Sequence, residues 1–165
     1  HLLSRRQRQM CIRDRLRRAC PDIAISTDII VGFPGETEAD FEDTLNLVRK
    51  VGYDSAFTFL YSARQGTPAA AREDQVPEEV KHERFNRLVE EINSSSAEKN
   101  KAYIGRVEKV LVDGVSRNRD NAYEGRTDSF KLVNFEGPEG LEGQIVPVRI
   151  TGANTFSLVG QLAEE

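Results

Sequence analysis

The sequence predicts an α/β portion, then a long helix, then an all-β portion. Three observations carry this reading. Residues 23–31 are a short β-branched run that ends in a glycine-proline turn, restarts as a helix and is succeeded by a second strand pattern at 55–61. Behind Pro77, apolar residues recur at helical spacing. From Gly105 onward, short runs alternate with period two and are separated by turn residues.

The bounds are those of a globular protein. A chain of 165 residues can hold one domain or two small ones. With 30% charged and 38% hydrophobic residues it reads as soluble, and no run approaches the roughly 18 apolar residues of a membrane span. Residues 1–18 are basic but lack the apolar core of a secretory signal. The net charge of −4 is uneven, +6 over residues 1–18 and −10 over the remainder, so a nucleic-acid partner would need a local patch. Cys11 and Cys20 are too few for a disulfide scaffold and match no common metal spacing. They read as free thiols in a reducing cytosol.

Residues 1–14, HLLSRRQRQMCIRD, are unlike the remainder of the chain. They read either as a basic arm or as a non-native leader, since QRQMCIRD resembles translated sequencing-adapter read-through, and they are set aside from fold reasoning. Leu16 and Ala19 then suggest the end of a helix before Pro21. In the first strand, Ile23, Ile25, Thr27, Ile29 and Val31 share one face, and Ala24, Ser26, Asp28, Ile30 and Gly32 share the other. A strand buried in a parallel sheet is normally apolar on both faces. Ser26 and Asp28 therefore read either as facing a polar ligand site or as hydrogen-bonded within an ordinary sheet.

Pro34-Gly35 suits the centre of a type II turn. Thr37 can cap a helix over 38–51, with Asp40 as its capping-box partner, Phe41, Leu45, Val48 and Val51 as its apolar stripe, and Gly52 after its end. Strand, helix and strand make a βαβ unit with parallel strands and a right-handed crossover, so loops 32–36 and 61–68 should emerge on one edge. Arg64 and a helix N-terminus would there be available to an anionic ligand. Alternatively, Arg64 is a surface charge paired with Glu36 or Asp28.

Residues 69–76 read as a linker, and a helix over 78–103 carries the stripe Phe85, Leu88, Val89 and Ile92, weakened by serines at 94–96. His82 sits among charges and reads as solvated. Residues 105–165 suggest about five short antiparallel strands in a small OB-like barrel. That portion has a net charge of −3, yet Arg117, Arg119, Arg126 and Lys131 are interleaved with Tyr123, Phe130 and Phe135. Such a pattern can track a phosphate backbone and stack bases; with Asp120, Glu124 and Asp128 beside it, it can equally be a mixed-charge loop. No phosphate-binding GxxxxGK[ST], no GxSxG, no HExxH and no cysteine triplet is present.

Taken in order, AISTDIIVGFPGETEADFEDTLNLV, VGYDSAFTFLYSARQGTPAA and EGRTDSFKLVNFEG resemble the C-terminal part of the radical-SAM methylthiotransferases over about residues 15–162. The last motif looks most like the tRNA-modifying branch acting on isopentenyl-adenosine. The sister enzymes acting on threonylcarbamoyladenosine or on a ribosomal protein, and a standalone RNA-binding module, remain alternatives. The resemblance implies that residues 15–103 are the last βαβ portion of a radical-SAM partial barrel with its connecting helix, and 104–165 a TRAM domain. It implies S-adenosylmethionine and 4Fe–4S clusters as cofactors, the tRNA anticodon arm as partner, a cytoplasmic monomer, and replacement of C2–H of N6-isopentenyladenosine by C2–SCH3. Ile30 and Gly32 match the Ile and second Gly of a G-x-I-x-G-x-x-E element, while Asp28 replaces its first Gly and Glu36 arrives one residue late. Ile30, Gly32, Asp28, Glu36 and Arg64 are the expected cofactor contacts. Arg126, Lys131, Asn134 and Phe135 are the expected RNA contacts. The family's CxxxCxxC and N-terminal domain are absent from this sequence, and Cys11 and Cys20 match no cluster ligand, so the chain is expected to be a fragment inactive by itself.

Overall fold

A computed structural model describes residues 2–116 and 122–163 and divides the chain into two compact units, His1–Ser95 and Ser96–Glu165. The first contains α1 (Leu2–Ala19), β1 (Ser26–Val31), α2 (Glu38–Val51), β2 (Ser55–Leu60) and most of α3 (Glu78–Lys101). β1 and β2 pair in parallel, in register from Ser26↔Ser55 to Val31↔Leu60. α2 has the caps its sequence specifies. The Thr37 hydroxyl accepts from the Asp40 N–H at 3.2 Å, the Asp40 carboxylate accepts from the Thr37 N–H at 3.0 Å, and Gly52 closes the helix at φ 59°. α1 adds cations at that same end. Arg17 donates to the Gly52 carbonyl at 2.9 Å and Arg13 to that of Lys50, which suits the partial negative charge of a helix C-terminus.

One face of the β1–β2 pair is covered. Val31, Phe41, Leu45, Val48, Leu88 and Ile92 form its core, with Ile29, Tyr53 and Ala56 packed against them. The buried stripe of α3 differs from the one its apolar residues suggest. It runs Lys81, Arg84, Leu88, Ile92, Ser96, Asn100, whereas Phe85 and Val89 are only half-buried. The helix thus buries apolar residues in its middle and polar ones toward both ends. Ser96 and Asn100, on its last turns, hydrogen-bond to the carbonyls of Thr155 and Asn154 within the second unit.

The second unit is a closed barrel of β3 (Val107–Val115), β4 (Ala122–Thr127), β5 (Leu132–Glu136), β6 (Ile145–Ala153) and β7 (Leu158–Leu162), in the order β3-β4-β5-β7-β6. All pairings are antiparallel except β5–β7, which runs parallel from Val133↔Leu158 to Glu136↔Gln161. This is the five-stranded Greek-key arrangement of OB-like folds. Val110, Val112, Tyr123, Val133, Phe135, Val148, Ile150 and Leu158 fill the interior. Register shifts at Val112/Gly114 and Ile150/Gly152 bend the two long strands so that the sheet can close.

Closure brings backbone close to backbone at two glycines. A Cβ on Gly125 would lie 2.4 Å from the Leu111 carbonyl oxygen, and one on Gly160 would lie 2.4 Å from Val148 Cγ1 and 2.8 Å from the Arg149 carbonyl oxygen. Gly125→Ala should therefore destabilise the barrel by roughly 1–3 kcal/mol, as overpacking does. Gly140→Ala, with open space around it, provides a reference for the strain of its own turn. Chemical denaturation of the two variants, monitored by tyrosine fluorescence, checks the expectation, and an unchanged midpoint for Gly125→Ala would contradict it.

Candidate functional site

The carboxyl ends of β1 and β2 lie together, as a parallel crossover requires. The Tyr61 N–H donates to the Val31 carbonyl at 2.8 Å, and the rings of Phe33 and Tyr61 meet edge to face at 5.3 Å. Between the strand and α2 the chain makes the type II turn. The Glu36 N–H donates to the Phe33 carbonyl at 2.9 Å across Pro34-Gly35, and Gly35 has the required positive φ of 82°. The segment that reads as a linker braces this turn. The Gly35 N–H donates to the Asp74 carbonyl at 2.8 Å, Arg72 and Asp74 pack where a Cβ on Gly35 would sit, and Val76 is buried.

Buried cations from α3 complete the edge. Arg84, with a side chain only 6% exposed, donates to the Glu36 carboxylate at 2.9 Å, the Glu36 carbonyl at 3.1 Å and the Glu38 carboxylate at 3.1 Å. The same Glu36 carboxylate accepts the Gly32 N–H at 3.2 Å. Lys81 donates to Glu78 at 2.6 Å, lies over the Tyr61 ring at 5.7 Å, and fills the space where a Gly32 Cβ would be.

These contacts divide the expected cofactor residues. Gly32 and Glu36 are engaged within the fold: the glycine packs under Lys81 and the carboxylate joins a buried cation to a backbone N–H. Asp28 and Ile30 point the other way, exposed on the uncovered face of the sheet. Arg64 is exposed in the loop after β2, where its carbonyl accepts from the Thr67 N–H and hydroxyl. Phe57 and Phe59 were not among the expected contacts. They are 64% and 50% exposed and stand in register with Asp28 and Ile30. The alternation in SAFTFL was the available signal, because it puts both rings on the face opposite the core.

In the barrel, the expected RNA residues also separate. Arg126 on β4 is partly exposed, pairs with Asp113 at 3.4 Å and lies over the Phe130 ring at 4.7 Å. Asn134 is half-buried, with its side-chain oxygen 3.5 Å from the Ser116 hydroxyl, and lines a shallow depression with Glu136, Thr151 and Gln161. Lys131 is only 9% exposed. Phe135 faces inward, 2% exposed and stacked on Tyr123 at 6.0 Å. It is a core residue with no free face for a base, because β5 alternates Val133 and Phe135 inward against Leu132 and Asn134. Arg117 and Arg119 lie outside the described residues.

Two phenylalanines of the barrel are exposed, Phe156 at 76% in the connection between β6 and β7 and Phe130 at 75% in the turn between β4 and β5, the latter at φ 62°. Left-handed backbone costs a bulky residue about 1–2 kcal/mol. Hydrogen bonds hold the turn against that cost. The Phe130 N–H donates to the Thr127 carbonyl at 2.9 Å, the Lys131 N–H to the Thr127 hydroxyl at 3.1 Å, and the Thr127 N–H to the Lys131 carbonyl at 3.1 Å. The Ser129 hydroxyl sits 3.0 Å from that of Thr127 and 2.8 Å from that of Tyr103.

Comparison with known proteins gives these two regions a context. Residues 101–163 match the TRAM domain family. The chain is 59% identical, over 156 residues and 94% of its length, to the tRNA-2-methylthio-N(6)-dimethylallyladenosine synthase of Clostridium botulinum strain Hall. It is 57% identical over 148 residues to the synthase of the same name from Clostridium novyi strain NT, and 54% over 151 residues to that of Clostridium botulinum strain Alaska E43. It spans 35%, 33% and 33% of those relatives, about a third of their length. No helix among the described residues is long and apolar enough to cross a membrane. Nor do the described residues contain three or more His, Cys, Asp or Glu side chains placed to hold a metal ion.

The ion pairs lead to two expected outcomes. Arg84→Ala should leave the Glu36 carboxylate, with a side chain only 13% exposed, without its cation and cost up to about 3 kcal/mol of stability in the first unit, the lower end of the range for a buried pair, measurable by denaturant titration; a cost below about 1 kcal/mol would place the pair among ordinary surface bridges. Hydrogen bonds from Arg87 and Arg84 hold the Glu38 carboxyl below its ordinary 4.5, and Lys81 does the same for Glu78. The unfolded chain takes up those protons more readily, so the contribution is complete above pH 4.5 and is lost as pH falls through the folded values. The melting temperature of wild type should fall on acidification below that point, and Glu38→Gln should fall less steeply.

Proposed function

We propose that the chain is the C-terminal part of a tRNA methylthiotransferase that installs a methylthio group at C2 of N6-isopentenyladenosine beside the anticodon. The observation that carries this reading is the similarity of 59% over 94% of the chain to a synthase named for that nucleoside. The similarity spans both the α/β unit and the TRAM barrel, so it favours an enzyme portion over a freestanding RNA-binding module. On this reading the barrel binds the anticodon arm of a tRNA in the cytoplasm.

The α/β unit would supply part of a wall for S-adenosylmethionine. Ile30, Phe57 and Phe59 offer apolar surface for an adenine ring, and Asp28 beside them offers a carboxylate to ribose hydroxyls or an ammonium group. Gly32 and Glu36 would act indirectly, by fixing the turn that ends this wall. Bound there, S-adenosylmethionine would be the source of a radical and of a methyl group. The residues of this chain do not fit an iron–sulfur cluster. Its cysteines are Cys11 and Cys20, both exposed, and they lack the three-thiolate spacing such clusters use. No step is therefore assigned to a cluster on these residues, and the isolated chain is proposed to be inactive.

Two measurements test the proposal. The chain should bind an anticodon stem-loop RNA with affinity that falls as salt rises, a negative slope of log K against log salt. Absence of binding at low salt would remove the RNA role. After anaerobic treatment with iron and sulfide, the isolated chain should release no 5′-deoxyadenosine from S-adenosylmethionine under reducing conditions, whereas release above a protein-free control would overturn the proposed inactivity.

A further inference from the structure

Phe130 combines features that folding alone does not explain. Its ring is 75% exposed and its backbone has φ 62°, a conformation suited to glycine or asparagine. A turn selected only for closing β4 onto β5 would gain from phenylalanine there no more than an exposed cation–π contact, worth less than the left-handed strain costs. The Arg126 guanidinium lies over the ring at 4.7 Å, and the residue is still 75% exposed. The turn is also tied down: the Ser129 hydroxyl is 2.8 Å from the Tyr103 hydroxyl, and Arg106 lies over the Tyr103 ring at 5.2 Å. Arg106, Tyr103, Ser129, Phe130 and Arg126 thus form a continuous run of contacts on one surface of the barrel. Two guanidiniums are stacked on aromatic rings there, with Asp113 and Asp128 as the neighbouring acids.

We propose that Phe130 is a stacking platform for an unpaired base of the bound RNA, with Arg126 supporting the ring from behind and Arg106 contributing positive charge to the same patch. This rests on the reading of the barrel as RNA-binding and deepens it by naming the contact. Three physical reasons favour a nucleobase over an apolar protein surface. An exposed ring with a guanidinium stacked on it gives a base-sized face rather than a hydrophobic groove. A cation beside it suits a polyanion. The clamped turn fixes the ring in advance, so little ordering is needed on binding. An unpaired loop base is the fitting target, because its face is free to stack.

The test uses the full chain and an anticodon stem-loop RNA carrying 2-aminopurine in its loop. With wild type, binding should quench the 2-aminopurine as it stacks. Phe130→Gly should weaken binding roughly five- to a hundredfold and abolish the quench, while its melting temperature holds or rises, because glycine relieves the left-handed strain. Phe130→Trp should restore both binding and quench. Equal affinity for wild type and Phe130→Gly, or a loss that Phe130→Trp does not restore, would overturn the platform while leaving RNA binding by the barrel intact. Failure of wild type to bind at low salt would instead overturn the RNA reading itself.

Discussion

The guanidinium of Arg84 is the constraint on which the first unit turns. A buried cation is tolerated only when its donors are met and its charge is balanced. Here the Glu36 carboxylate and carbonyl, the Glu38 carboxylate and the face of Phe41 surround it. Each partner belongs to a different piece of local structure: the turn after β1, the first turn of α2 and the apolar stripe of α2. Seating Arg84 therefore fixes all three relative to α3. The Glu36 carboxylate then has one orientation, and it secures the Gly32 N–H at the strand's end. Geometry at the sheet edge is thus set by a helix that begins more than forty residues further along the chain.

This explains which features the sequence could reveal and which it could not. Thr37, Asp40, Pro34, Gly35 and Gly52 act through their own backbone or that of near neighbours, so their roles can be read locally. The parallel pairing of β1 with β2 is dictated by a crossover of fixed hand. The barrel as a class was legible in alternation and turn spacing. Its parallel β5–β7 pairing was not, because alternation gives a period and not a partner. The inward turn of Lys81 and Arg84 was equally hidden. Periodicity assigns apolar residues to the core, and a charged side chain enters it only where partners distant in sequence can meet it. Phe85, taken for a core residue by that rule, stays half-buried.

The two aromatics of the FKLVNFEG stretch show a different kind of error. Beside Lys131, both phenylalanines look fit to stack on a base. Alternation decides between them: Phe135 shares the inward parity of Val133 and becomes core, while Phe130 precedes the strand and takes its direction from the turn instead. Chemistry alone selected the buried ring; strand parity would have rejected it. On β1 and β2 the same rule works in reverse. Ser26, Asp28 and Ile30 share an exposed face with Ser55, Phe57 and Phe59. Parallel sheets are generally covered on both sides, and here Ile30, Phe57 and Phe59 leave one face exposed and partly apolar.

Both units treat presented groups alike, though they use different means. In the first, ion pairs and a capping box immobilise the turn, and the strand face that carries Asp28 and Ile30 is left free. In the second, the hydroxyls of Thr127, Ser129 and Tyr103 immobilise a turn in which Phe130 is strained, and the Phe130 ring is left largely exposed. A flexible turn could relax Phe130 out of its left-handed conformation, and the ring would then fold back onto the barrel surface and bury apolar area. The hydroxyl network removes that option: its hydrogen bonds exist only while residues 127–131 keep their present path. Strain at Phe130 and rigidity around it are therefore one arrangement. The network supplies the stability, the left-handed backbone supplies the direction, and together they keep an apolar ring in water.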